Sequence, residues 1–169
     1  GGAERRGLSS LRAPRLPENR RSSFQDATRD EFAAALLELK DGFPLRPRWD
    51  QGSLDWFMQQ AEQKRNLGQP VWRIGRSRDG GIVGCYAYHG RSGRIARLLQ
   101  AVCTPAIAGD LVDDLFAHAD AAKCAGIRGG GHPWLAAELV SRKAIFYGRS
   151  FFVAHARDKT LLEPVLAGE

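Results

Sequence analysis

The sequence VWRIGRSRDGGIVGCYAYHGRSGRIARLLQAV, residues 71–102, decides the fold class. Runs rich in β-branched, aromatic and other apolar residues alternate in it with two glycine-containing polar segments, Arg78–Gly81 and Gly90–Gly93. Such segments between β-rich runs are typical of antiparallel hairpins. The pattern predicts a three-stranded meander with strands over Val71–Arg76, Ile82–His89 and Ile95–Val102.

Helices are predicted on both sides of the meander. Each has apolar residues at helical spacing, and they cover Glu31–Leu39, Ser53–Arg65, Ala108–Cys124, Trp134–Lys143 and Lys159–Leu166. Thr28 or Asp30 is expected to cap the first helix, and Ser53 the second. Two further strands are predicted at Ile127–Gly129 and Phe146–Ala156. Helices and strands in this order predict an α/β (α+β) domain.

Composition divides the chain into two parts. Residues 1–23 are rich in Arg, Ser and Pro, which predicts a disordered tail or linker, and residues 24–169 are expected to form one folded domain. The formal charge is +6, and a basic tail could bind nucleic acid or an anionic surface. The first thirty residues contain a single aromatic residue, Phe24, and so lack the stacking side chains of single-strand binders. A solvated linker is the favoured interpretation, and nucleic acid is not an expected partner.

Cysteine usage and hydropathy indicate the compartment. No apolar run approaches the roughly 18 residues that a membrane span needs, so no membrane partner is expected. Cys85, Cys103 and Cys124 are widely spaced, which disfavours disulfides and metal sites and indicates a reducing, cytoplasmic setting. The sequence starts Gly1-Gly2 and its single methionine is Met58, so we expect it to be a piece of a longer polypeptide.

Several segments resemble the GNAT acetyltransferases. Gly80–Tyr88 is similar to a hairpin strand of that family, Leu99–Val102 with the long helix after it resembles the central strand and cofactor helix, and Leu139–Phe146 is similar to the passage before the final strands. The resemblance covers about residues 23–156, although the family's first strand is not visible in the sequence. It implies a mixed, mostly antiparallel central sheet flanked by helices. Leu45–Asp50 and Val153–Asp158 resemble bacterial proteins with two GNAT-like units, which implies a second such domain as a partner.

The resemblance also implies acetyl-CoA as the cosubstrate. In the family, backbone N–H groups at the start of the long helix hold its pyrophosphate, as unpaired amides at a helix start favour an anion. The matching residues here are Val102, Thr104, Ala108, Gly109 and Asp110. Gly109 is the one glycine of this loop, and Pro105 removes a donor from it. Asp110 has two open interpretations, a helix cap or part of a residual CoA site.

The resemblance also implies positions for a base and an acid, but Gln100 at the base position cannot take up a proton and the acid position falls near Ser141, so the candidates are the nearest alternatives. Gln100 occupies the central-strand position of the family's glutamate, His89 at the end of the second meander strand is the alternative base, and Tyr147 is the phenol nearest to the expected acid. Tyr86 and Tyr88 share one face of their strand, which lies either towards a cleft or under a helix.

Two functions follow from these residues. The first is an N-acetyltransferase that uses acetyl-CoA and a small-molecule or peptide amine acceptor. The alternative is a catalytically inactive GNAT-like module for protein interaction or substrate positioning, which a glutamine at position 100 and a loop with a single glycine favour.

Overall fold

The computed structural model describes residues 21–39, 49–148, 157 and 159–163. The elements in chain order are β1 (Ser22–Asp26), α1 (Arg29–Leu39), α2 (Gln51–Gln63), β2 (Gln69–Ser77), β3 (Ile82–Gly90), β4 (Ile95–Cys103), α3 (Ala108–Ala121), β5 (Gly126–Arg128) and α4 (Pro133–Ser141). Single turns of 3-10 helix lie at Arg65–Leu67, Pro105–Ile107 and Lys159–Leu162. Among the described elements, β1 is the first in the chain and the turn Lys159–Leu162 is the last.

The sheet has the strand order β1-β2-β3-β4-β5, and all of its pairs are antiparallel except β4 with β5. The predicted meander is confirmed as β2, β3 and β4. The strand that was not visible in the sequence is β1, which pairs with β2 from Ser22 opposite Ser77 to Asp26 opposite Arg73. Ser22 and Ser23, assigned to the tail, belong to this strand. Because Phe24 is its one large apolar residue, β1 has no alternation from which it could be predicted.

Both faces of the sheet are buried. Cys85 and Ala87 of β3 belong to the core beneath α1 and α2, whereas Tyr86 and Tyr88 belong to the core beneath α3. Successive side chains of a strand point to opposite faces, and a strand covered on both sides needs apolar residues at nearly every position. This accounts for the almost unbroken apolar run of β3.

The residues that cap the first two helices agree only in part with the predictions. Thr28 caps α1 in a capping box with Glu31: the Glu31 N–H donates to Thr28 Oγ1 at 3.2 Å, and the Thr28 N–H donates to Glu31 Oε2 at 2.7 Å. The cap predicted at Ser53 is wrong. Asp50 caps α2, because its carboxylate accepts from both the N–H and the hydroxyl of Ser53.

The later elements are shorter than predicted. α3 ends at Ala121, since Lys123 adopts a left-handed backbone with a φ of 57°. The residues from Phe146 to Gly148 form no strand, and residues 149–156 of that predicted strand lie outside the described part of the chain. No helix of the described residues is both long and apolar enough to cross a membrane.

Candidate active site

β4 and β5 lie side by side over only three residue pairs, Ile95–Arg97 with Gly126–Arg128. β5 then ends, while β4 continues to Cys103. A Cβ on Gly129 would lie 2.8 Å from the Cβ of Leu98, so the chain contacts β4 once more before it leaves. Beyond this point no described strand covers the outer edge of β4. Among the described strands, its backbone N–H and C=O groups have no partner on this side, which is the arrangement to which a ligand can add as an extended strand.

A β-bulge lies where the two strands separate. The register between β3 and β4 shifts at this place, so that Leu98 lies opposite Tyr88 and Gln100 opposite Ala87, with Leu99 as the extra residue. A bulge bends its strand and increases the local twist. Leu99 follows closely on Arg97, the last residue of β4 that pairs with β5, so the bulge lies where the two strands part.

The chain passes from β4 into α3 through the 3-10 turn Pro105–Ile107. Ile107 is the N-cap residue of α3 and provides no side-chain hydrogen bond to the helix. The Ala108 N–H donates to the Pro105 carbonyl. The other N–H groups of a first helical turn have no partner inside the helix and carry partial positive charge. The start of α3, with no capping side chain, therefore suits an anionic group.

The role of Asp110 differs from the two that the sequence left open, a helix cap and a part of a residual CoA site. Its Oδ2 accepts hydrogen bonds from the Arg21 N–H at 3.0 Å, the Ser22 N–H at 3.1 Å and the Ser22 hydroxyl at 2.9 Å. The carboxylate thus anchors the start of β1 and does not cap α3. Three donors satisfy its negative charge.

Gly109 allows α3 and α4 to approach each other. A Cβ at this position would lie 3.0 Å from Glu138 Oε2 and 3.4 Å from Arg142 Nη2. Arg142 joins the two helices, because it donates to Asp113 Oδ1 at 2.6 Å, to Glu138 Oε2 at 2.6 Å and to the Gly109 carbonyl at 3.3 Å. The hydrogen bond to Asp113 is the main cause that raises the pKa of Arg142.

The other residues predicted to bind the cofactor lie along the same path. Val102 and Ala108 have buried side chains and can offer a ligand only backbone groups. Thr104 is exposed and offers its hydroxyl as well. Gln100 is half-buried on the open part of β4. The structure therefore places Gln100 and the five predicted cofactor residues on one continuous route from the edge of β4 to the start of α3.

His89 does not lie on this route. Its side chain is fully buried, and Nε2 lies 2.7 Å from the carbonyl oxygen of Ala61 in α2. Since a carbonyl oxygen only accepts, Nε2 carries the proton. Nδ1 has no hydrogen-bond partner among the described residues. His89 thus faces α2 inside the core, where a bound amine could reach it only after a movement of that helix.

Tyr147 lies on the β5 side of the split. Its ring is 5.8 Å from the guanidinium carbon of Arg128, and the side chain is 56% exposed. The structure therefore separates it from Gln100, which belongs to β4. Its use as an acid would require it to turn towards the split.

A buried polar network fastens α3 to the sheet. Arg73 of β2 donates to Asp26 Oδ1 at 2.8 Å and to Asp114 Oδ2 at 3.0 Å, and the Tyr86 hydroxyl donates to the same Asp114 oxygen at 2.6 Å. Burial tends to lower the pKa of Arg73, but the hydrogen bonds and charges of its partners raise it above its usual value. Burial, followed by the charge of Asp114, raises the pKa of Tyr86. Arg73 and Tyr86 thus keep their protons and act as donors.

Tyr88 and His118 form a second part of this network. The Tyr88 hydroxyl lies 2.6 Å from Nδ1 of His118, and Nε2 of the same ring lies 3.5 Å from Asp26 Oδ1. Burial raises the pKa of Tyr88 to about 12. The protonated phenol therefore donates to Nδ1, and the Nε2 proton faces Asp26. Of the two interpretations for the tyrosine pair, packing under a helix is the one that the structure confirms.

We expect His118 to make the stability of the fold depend on pH. Burial and then the charge of Arg73 lower the pKa of His118 below 6.5. The unfolded chain consequently binds this proton more tightly, so the contribution of His118 to the free energy of unfolding is complete above pH 6.5 and decreases as the pH falls below it. Urea unfolding at pH 7.5 and 5.0 should show a smaller loss of stability for His118→Gln than for the parent chain.

Burial also lowers the pKa of His132, so His132→Gln should remove a separate part of the pH dependence, and the double variant with His118→Gln should remove both parts. His132→Gln should leave the contribution of His118 in place. Asp26, whose pKa the hydrogen bond from Arg73 lowers from 3.8, loses its contribution only at more acidic pH. Equal pH dependence in His118→Gln and the parent chain would contradict the expectation.

The side chains that fix α3 in place were not predicted from the sequence, and they are Arg73, Asp113, Asp114 and Arg142. A signal was present in the helix itself. Asp113 and Asp114 interrupt its apolar face between Leu111 and Leu115, and an acidic residue at a buried position requires a partner. The partners could not be named, because they lie about 30 to 40 residues away in the chain. Within the described residues, no group of three or more His, Cys, Asp or Glu side chains could hold a metal ion.

Known proteins resemble this chain in backbone structure. No protein-family model matches the sequence, and no curated protein sequence matches it. Solved structures do match. An acetyltransferase from Trypanosoma brucei superposes with a TM-score of 0.54 at 16% identity, over 79% of this chain and 99% of the other. A predicted acetyltransferase with acetyl-CoA from Clostridium acetobutylicum superposes with a TM-score of 0.55 at 12% identity, over 79% and 96%.

A third match has a more specific name. The ribosomal-protein-alanine N-acetyltransferase of Brucella melitensis superposes with a TM-score of 0.51 at 16% identity, over 80% of this chain and 99% of the other. At these identities the likeness concerns the backbone alone. The matches agree with the mostly antiparallel five-stranded sheet, its short parallel β4–β5 pair and the helices that flank it. The chain has the fold of the GNAT acetyltransferases.

Proposed function

We propose that this chain binds acetyl-CoA in the split between β4 and β5 and transfers the acetyl group to an amine. The observation that carries the proposal is the open edge of β4 from Leu98 to Cys103, which leads directly to the start of α3. An extended ligand with amide groups can pair with such an edge as a further strand would. A phosphate group at its far end would meet the first turn of α3.

The residues along this route fit such a ligand. Thr104 leaves the entrance to the helix polar and uncharged, and the carboxylate of Asp110 is held by donors of β1. When bound, acetyl-CoA would supply a thioester, whose acetyl group passes to the nitrogen of a neutral amine while the thiol is released. The chain's own part is to align the donor along β4 and to exclude water from the split.

Gln100 is proposed to orient the acceptor or a water molecule. Its amide offers both a donor and an acceptor but cannot take up a proton. His89 and Tyr147 remain the proposed base and acid, and each needs a movement to reach the split. The acceptor class stays a small-molecule or peptide amine, and a cytoplasmic setting and a second GNAT-like domain belong to the same proposal.

A second candidate function is acyl-CoA binding without turnover, in a module that positions a substrate or partner. It is favoured by the uncharged Gln100 and by the complete burial of His89. A release assay for free thiol separates the two functions. Free thiol that appears only when an amine is added supports acetyl transfer. Binding of acetyl-CoA without release of free thiol, whichever amine of a panel is added, supports the inactive module.

Thr104→Glu is expected to weaken the binding of acetyl-CoA by about tenfold, since a carboxylate within several ångströms of a pyrophosphate costs about 1 kcal/mol or more. Thr104 is exposed and makes no side-chain cap, so the substitution disturbs no core contact. A negative charge before a helix start also favours the helix, so the fold should persist. Calorimetric titration with acetyl-CoA measures the change.

Thr104→Gln is the matched control, because it has the same size as the glutamate and no charge, and we expect it to retain the affinity of the parent chain. If millimolar acetyl-CoA produced neither heat nor a rise in the unfolding temperature of the parent chain, the proposed function would be wrong. If Thr104→Glu and Thr104→Gln bound equally well, the phosphates would lie elsewhere.

A further inference from the structure

A group of basic side chains lies at the end of the sheet opposite to the start of α3. We name this surface the basic end, and its members, all exposed, are Lys64, Arg65, Arg91, Arg94, Arg97, Lys123 and Arg128. Backbone contacts bring their turns together. The Gly93 N–H donates to the Lys123 carbonyl at 2.8 Å, and the Ala125 N–H donates to the Arg94 carbonyl at 2.9 Å. The turn with Lys64 and Arg65 joins them, because Gly68 packs directly against Gly90.

Among the residues that the structure describes, little negative charge lies close to the basic end. The acidic residues of the adjoining helix ends are Glu62 and Asp120, and Glu62 pairs with Arg29 at 3.4 Å. None of the seven cations forms an ion pair with a carboxylate of the described residues. By contrast, three aspartates of α3, Asp110, Asp113 and Asp114, are engaged in polar contacts at the other end or beneath the helix. The basic end is therefore a surface where seven cations lie together with no carboxylate of the described residues paired to them.

We propose that the basic end binds the phosphate backbone of double-stranded nucleic acid. Protein–protein interfaces need an apolar centre, and the exposed large apolar side chains at the basic end are Ile95 in the turns and Tyr147 beside Arg128, which are too few to form one. Interfaces with nucleic acid are instead polar and strongly positive. The guanidinium groups of five of the seven residues match phosphate oxygens in fork geometry.

The mode of binding follows from what the turns contain. The turns at residues 64–68, 91–94 and 122–126 include no aromatic side chain, and the one exposed ring beside the basic end, Tyr147, lies against Arg128, so contacts with phosphates and no reading of the sequence are expected. Gly93 and Gly126 leave open space beside the backbone, which allows a phosphate to approach closely. Nucleic acid was not an expected partner when only the charge of the tail was considered. The charge that supports the present proposal lies instead on folded turns. The proposal does not depend on acetyl transfer.

The test measures the anisotropy of a labelled mixed-sequence DNA duplex against the full chain over a series of salt concentrations. The logarithm of the binding constant should fall linearly with the logarithm of the salt concentration. Arg91→Gln and Arg94→Gln should each reduce this slope by about 0.9, and the double variant by about 1.8. Each should also weaken binding several-fold at fixed salt, without a change in the unfolding temperature, since both side chains are exposed.

Lys143→Gln is the matched control, because Lys143 is exposed beyond α4, on the side where Arg142 contacts the start of α3. It removes one positive charge and should leave the slope unchanged. An equal slope for Lys143→Gln and the Arg91/Arg94 double variant would overturn the proposal, as would an absence of binding at about 50 mM salt. Displacement of the duplex by poly-glutamate at equal charge concentration would also overturn it, in favour of an acidic polypeptide.

Discussion

Asp114→Asn is expected to lower the free energy of unfolding by about 3 kcal/mol, because it leaves a buried arginine without its main buried counter-charge. The side chains of Arg73 and Asp114 are 11% and 9% exposed, and the other carboxylate partner of Arg73, Asp26, is 79% exposed. The introduced asparagine would also present an amide group to donors from both Arg73 and Tyr86. Since the whole stability of a domain is about 5–15 kcal/mol, the loss is a large fraction of it. Urea unfolding followed by circular dichroism measures it.

Asp120→Asn is the control for this variant, because it makes the same chemical change in the same helix at an exposed position. It should change the free energy of unfolding by at most about 0.5 kcal/mol. The triple variant Arg73→Met, Tyr86→Phe and Asp114→Leu removes both charges together with the hydroxyl that Asp114 accepts from, and should recover most of the loss. A cost below about 1 kcal/mol for Asp114→Asn would mean that the ion pair contributes no more than an exposed one.

Gly68→Ala is expected to destabilise the fold by at least about 3 kcal/mol, from backbone strain and steric overlap together. Gly68 has a φ of 113°, which residues with a side chain rarely adopt, and an added Cβ would lie 2.2 Å from the carbonyl oxygen of Gly90. That neighbour is backbone and cannot rotate away as a side chain would. β2 begins next to Gly68 and pairs with the end of β3, so relief of the overlap would shift the ladder between the two strands.

Gly80→Ala separates the two contributions. Gly80 also has a positive φ, of 90°, but an added Cβ would meet no atom within 4 Å. Its cost should therefore be the conformational part alone, about 1–2 kcal/mol. Thermal and urea unfolding of the two variants should differ accordingly. Equal losses would show that the contact with Gly90 yields without cost.

The meander could be predicted because its information is local. The turns at residues 78–81 and 90–93 and the apolar runs between them are readable without knowledge of the rest of the chain. β1 could not be predicted in this way. Its five residues become a strand because β2 offers a partner edge and because Arg73 holds Asp26 from the neighbouring strand. Ser22 is fixed by Asp110, which lies 88 residues further on.

The candidate site was predicted in part for the same reason. The stretch from Gln100 to Asp110 is continuous in the sequence, so its resemblance to a cofactor-binding passage also located it in space. The directions in which these side chains point and the depth at which they are buried could not be predicted from the sequence. The burial of His89 depends on α2, the position of Tyr147 depends on Arg128, and the side chain of Asp110 points to a strand that was not foreseen. The catalytic roles of these residues stay predictions.

The way in which α3 is held has a consequence for how this chain can change in evolution. Asp110, Asp113, Asp114 and His118 attach the helix to β1, to Arg142 and to the sheet along its whole length. The exposed residues of the loop before it, Thr104, Pro105 and Ala106, are then not needed to keep the helix in position. Substitutions at these three exposed positions should then leave the fold intact, whereas Ile107 is buried in the core beneath α3 and should tolerate little change. New ligand preferences could arise in that loop at little risk to folding.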